Sequence, residues 1–92
     1  MFPNMADRKK YQASIPVIFW IEQQYGANEA MFFAEKLVQS GITELDFSND
    51  GHYYYERQVL HEPGWFLKVM ASPHRINLRR FIDYILFDLY AQ

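Results

Sequence analysis

The chain has no cysteine. That excludes a disulfide framework, a thiolate nucleophile and a cysteine-ligated zinc. It also lacks any apolar run near the roughly 18 residues that a membrane helix needs. Asp7 and the want of a long apolar region behind Arg8, Lys9 and Lys10 argue against a signal peptide, so cytoplasm is the default compartment. Histidine is scarce. His52, His61 and His74 have no second ligand three or four residues away on an expected helix, so neither a metal site nor a cofactor is expected. There is no internal repeat, low-complexity tract or linker. Glycine occurs four times, at 26, 41, 51 and 64, each at an expected element boundary.

Basic residues are missing from one region in particular. Residues 14–62 carry eight acids against Lys36 and Arg57, a net charge of −6. Residues 1–13 and 63–92 each carry a net +2, so an acidic middle lies between basic ends. An acidic face can steer a basic partner toward it.

What the chain has in quantity is apolar surface. Half of its 92 residues are hydrophobic and 18% are aromatic, enough for a folded core and too much for a disordered chain. The length allows one domain, residues 1–92, in which 1–13 read as an end that frays.

The stretch from Ile42 to Ala71 reads as an antiparallel meander of three strands. Thr43, Leu45 and Phe47 alternate with Glu44, Asp46 and Ser48, the period of a half-buried strand. Two turns compete at Asn49-Asp50-Gly51. A two-residue turn sets Leu45 opposite Glu56 and Phe47 opposite Tyr54. A three-residue loop with Gly51 at positive φ sets Phe47 opposite Tyr53 and Leu45 opposite Tyr55, which keeps one face apolar. The second register is expected. Glu62-Pro63-Gly64-Trp65 then turns the chain into a third strand, Trp65 to Ala71.

Helices flank the meander. Ser14 and Pro16 suit a helix start, with Val17, Ile18, Ile21 and Tyr25 on one face and Gly26 at the end. The same residues also fit a strand at 15–21. Ala27 to Ser40 follows, capped by Asn28, with Ala30, Phe33, Ala34, Leu37 and Val38 as its stripe and Gly41 as its stop. After Ser72-Pro73, with Asn77 as a second candidate cap, Leu78, Phe81, Ile82, Ile85 and Leu89 form the stripe of a last helix reaching Ala91. The expected fold class is α+β, in the order α-α-β-β-β-α, with β-α-β-β-β-α as the alternative. The expected core is Val17, Ile21, Phe33, Leu37, Leu45, Phe47, Tyr55, Val59, Leu67, Val69, Ile82 and Ile85.

No catalytic constellation stands out. Ser14, Ser40, Ser48 and Ser72 each fall at an element boundary, where capping explains them, and no Gly-x-Ser-x-Gly occurs. Glu44, Asp46 and Glu56 read as a solvated hairpin face rather than an acid–base pair in a pocket. Two helices followed by a hairpin resemble a winged helix in element order alone. However, the second helix carries Glu29 and Glu35 against Lys36, where a groove-entering helix needs basic flanks.

The reading that remains is a non-enzymatic binding protein that occludes a basic surface on a protein or ribonucleoprotein partner. In size and charge alone it resembles toxin-immunity proteins and phage anti-CRISPR proteins. The expected contacts are Glu44, Asp46, Asp50 and Glu56, with Tyr54 as an aromatic anchor. The rival is direct nucleic-acid binding, or a homodimeric regulatory module, that uses a basic patch of His74, Arg75, Arg79 and Arg80. Tyr84, Phe87 and Tyr90 give the last helix more apolar cover than one core face requires, so a homodimer through them is expected as well.

Overall fold

The computed structural model describes residues 10–45, 58–62 and 64–91. A 3-10 turn, Gln12–Ser14, leads into helix α1, Ile15–Tyr25, followed by α2, Ala27–Gln39. Two short strands come next, β1 at Glu44–Leu45 and β2 at Gln58–Val59. Helices α3, Trp65–Met70, and α4, Arg75–Tyr90, complete the chain.

Helix α1 settles the ambiguity at 15–21 in favour of helix. Pro16 lies in its first turn, where a missing N–H costs nothing, and Val17, Ile18 and Ile21 are fully buried. Ser14 does not cap it: its hydroxyl donates to the Tyr11 carbonyl at 2.6 Å. Gly26 both ends α1 and caps α2, at φ 121° and ψ 168°, a conformation essentially reserved for glycine. Asn28, the cap expected from the sequence, is instead an exposed residue of the first turn of α2. The far end of α2 closes in a Schellman motif: Gly41, at φ 62°, donates to Val38, and Ile42 donates back to Leu37 at 3.0 Å.

Among the described residues the three-stranded meander is not present. The described residues contain one antiparallel ladder of two residues per strand, with Glu44 opposite Val59 and Leu45 opposite Gln58. Leu60 extends it through its N–H to the Thr43 carbonyl at 2.8 Å. Leu45 therefore does not face Tyr55, and neither of the two expected registers describes this pairing. The Asn49–Gly51 loop, Phe47, Tyr53 and Tyr55 lie outside the described residues.

The expected third strand is helix α3. Gly64 turns the chain at a positive φ of 78°, but the chain then winds instead of extending. Trp65, Phe66 and Val69 bury together at i, i+1 and i+4, a helical face, while Leu67 is 72% exposed. Strand alternation would have sent Leu67 inward. Six residues fit either period, and tertiary packing decides between them. The fold is accordingly mainly helical, not α+β.

Helix α2 is central: α1 packs on one part of it and α4 on another, while α3 packs on α4 and on the 3-10 turn. Phe33 of α2 meets Phe81 of α4 edge to face, with ring centres 6.2 Å apart. The core runs through the four helices and β1 and includes Tyr11, Leu45, Leu60, Leu78, Ile82 and Leu86. Tyr11 is 2% exposed and its hydroxyl donates to the Leu37 carbonyl, so the fraying expected up to Ala13 does not extend this far. Val59 is only half buried. Among the described residues no helix is long and apolar enough to cross a membrane.

Candidate functional site

Of the acidic contacts expected from the sequence, Glu44 is described and lies exposed on β1. Asp46, Asp50, Tyr54 and Glu56 lie outside the described residues. Other acids share the exposure of Glu44: Glu22 on α1, Glu35 on α2, and Glu62 after β2. Lys36 is the one Lys or Arg among the described residues of this acidic segment. It lies half buried, its Nζ 5.4 Å from the centre of the Phe32 ring.

The arginines of the rival patch occupy the first half of α4, where Arg75 and Arg79, one turn apart, line the same cavity. His74 is the half-buried N-cap position, where its backbone N–H meets the Ser72 hydroxyl at 3.2 Å. Asn77 lies inside the helix and is not its cap. Arg75 donates through Nη1 to the Ser72 carbonyl at 3.1 Å. Arg79 lies beside Tyr25, whose hydroxyl donates to Asp83 at 2.8 Å. Arg80 follows about 100° further round the helix. All three arginines are exposed. Burial holds the Tyr25 phenol above its ordinary range, the Asp83 carboxylate adds to the shift, and Arg79 opposes it.

Beside Arg75 and Arg79 lies a cavity of about 160 Å³, lined also by Trp20, Met70, Ile76 and Ile82. A hollow of about 300 Å³ lies between the 3-10 turn and the segment before α3, with Pro16, His61 and Gly64 on its walls. Among the described residues, His61 is the sole titratable side chain lining it. Among the described residues no three histidine, aspartate or glutamate side chains converge as metal ligands. Two of the hydroxyls are occupied locally: Ser14 bonds the Tyr11 carbonyl and Ser72 the Val69 carbonyl.

No protein-family model, no curated protein and no solved structure matches this chain. What the site does must be read from its own residues.

The aromatic surplus on α4 is on the surface. Tyr84, Phe87 and Tyr90 are 78%, 67% and 60% exposed. Ile76, also more than half exposed, joins them, and sequence reasoning missed it. Its spacing of eight residues from Tyr84, with Arg80 midway, was the available signal.

Proposed function

We propose that the chain is a non-enzymatic binding protein that inhibits or regulates a partner by occluding the partner's basic surface. The observation that supports this reading is the exposure of Glu22, Glu35, Glu44 and Glu62 across a segment whose described Lys/Arg complement, Lys36, is drawn over Phe32. A predominantly acidic surface attracts a basic partner and accelerates encounter. Asp46, Asp50 and Glu56 would add to it, with Tyr54 as the anchor.

The rival, nucleic-acid binding through Arg75, Arg79 and Arg80, has less in its favour. A phosphate-tracking surface needs cations aligned on one face. Here Arg75 and Arg79 already have acceptors or charged neighbours on their own chain, and Arg80 follows about 100° round the helix from Arg79.

Affinity capture from host lysate, followed by reconstitution with the purified captured protein, tests the proposal. A single basic protein or ribonucleoprotein should be recovered in stoichiometric amount, and Glu44→Lys with Asp46→Lys should slow its association and weaken the salt dependence. A shift of free DNA or RNA that Arg79→Ala with Arg80→Ala abolishes, and that the acid reversals strengthen, would establish the rival instead.

A further inference from the structure

We propose that two copies of this chain associate antiparallel through the outward face of α4. This inference is independent of the acidic surface and concerns the opposite side of the charge pattern.

The helix has two apolar faces. Leu78, Ile82, Ile85 and Leu86 are buried against the rest of the fold. At about 100° per residue, Ile76, Tyr84, Phe87 and Tyr90 lie on the other side. Each of these four is more than half exposed. They fall on two ridges that cross at Tyr84: Ile76, Arg80, Tyr84 and Asp88 at steps of four, and Tyr84, Phe87 and Tyr90 at steps of three. Such ridges are the elements by which helices interlock. Two tyrosines and a phenylalanine are also the residue types that interfaces concentrate.

The charges select a second copy and its direction. Arg75, Arg79 and Arg80 occupy the first half of α4, and Asp83 and Asp88 the second. No acid sits in its first turn and no base in its last. Both halves therefore oppose the macrodipole of their own helix, which favours anions at the N-terminus and cations at the C-terminus. An antiparallel copy reverses the situation. Its Asp-bearing half lies against this Arg-bearing half, and the two dipoles run in opposite directions. Arg80 and Asp88 stand four residues before and four after Tyr84. A two-fold axis at Tyr84 thus places Arg80 of one copy against Asp88 of the other, twice, with the aromatic residues between. That is the self-complementary patch an isologous interface requires.

Sedimentation of the full chain across the micromolar range tests this. The expected species has twice the 11.1 kDa chain mass; a monomer throughout overturns the proposal, whatever becomes of the acidic-surface reading. Phe87→Glu alters an exposed side chain, so its circular dichroism should match the parent while the dimer dissociation constant rises about thirtyfold or more. A dimer indifferent to Phe87→Glu also overturns the proposal. Direction is read from charge. Arg80→Glu should weaken the dimer about two- to fivefold, and adding Asp88→Arg should restore it. A dimer that Arg80→Glu leaves unweakened, or that adding Asp88→Arg fails to restore, overturns the antiparallel arrangement.

Discussion

The indole Nε1 of Trp65 donates a hydrogen bond to the carbonyl oxygen of Ala13 at 2.6 Å. This bond ties the first residue of α3 to the 3-10 turn that precedes α1, across 52 positions of sequence. Trp65 itself is 2% exposed and stacks edge to face with Phe66. Trp65→Phe keeps much of the apolar area but removes the donor, leaving a part-buried carbonyl unpaired. The expected loss is about 1 kcal/mol of unfolding free energy in a denaturant titration, against roughly 3–5 kcal/mol for Trp65→Ala. Equal stability of Trp65→Phe and the parent would show that the bond contributes nothing.

Leu67 and Val69 distinguish helix from strand at α3. Both lie inward in the alternating pattern, whereas the helix buries Val69 to 1% exposure and leaves Leu67 at 72%. Leu67→Ala should change stability by less than about 0.5 kcal/mol, and Val69→Ala should cost on the order of 2 kcal/mol. Comparable losses at the two sites would restore the strand.

Gly26 is the joint between α1 and α2. A β-carbon there would meet the Glu29 Oε2 at 2.7 Å, and the φ of 121° is strained for any L side chain. Gly26→Ala should therefore destabilise by about 1–3 kcal/mol. The Glu29 carboxylate can swing aside, so most of that loss should persist when Gly26→Ala is made in a Glu29→Ala background. Full recovery in that background would mean that contact, not backbone conformation, sets the cost.

The long helices were legible in the sequence because they are long. Ala30, Phe33, Ala34 and Leu37, then Leu78, Ile82 and Ile85, repeat at helical spacing over about two turns, whereas Val17, Ile18 and Ile21 cover little more than one, which is why 15–21 fit a strand as well; all are buried. The stretch 65–70 gives fewer than two turns, so Trp65, Leu67 and Val69 mimic alternation that the fold does not use. Leu45 and Val59 read as strand residues and do lie in paired strands, but their register is not legible from Asp50-Gly51, because the described pairs lie well away from that turn. The exposed aromatic face of α4 was legible as surplus. Its member Ile76 was not, since one residue two turns before Tyr84 reads as part of a loop-to-helix start.

Alkaline pH should act through Tyr25. Partial burial, then the hydrogen bond and charge of Asp83, hold its phenol above the usual range. The folded state thus favours the neutral phenol. Its contribution is fully present below the unfolded value of about 10 and is lost as pH rises through the raised folded value. The stability difference between the parent and Tyr25→Phe should be constant up to about pH 10 and should shrink above it. A difference that grows with pH would reverse the sign of the linkage.

The claim that matters most is that acids, not arginines, make the functional contact. Its most direct test is the association rate of the purified captured partner with three proteins side by side: the parent, Glu44→Lys with Asp46→Lys, and Arg79→Ala with Arg80→Ala. The rate should fall steeply with salt for the parent and for the arginine variant, and should be slower and nearly salt-independent for the acid reversal. The opposite pattern, with binding intact in the acid reversal and lost in the arginine variant, would contradict it.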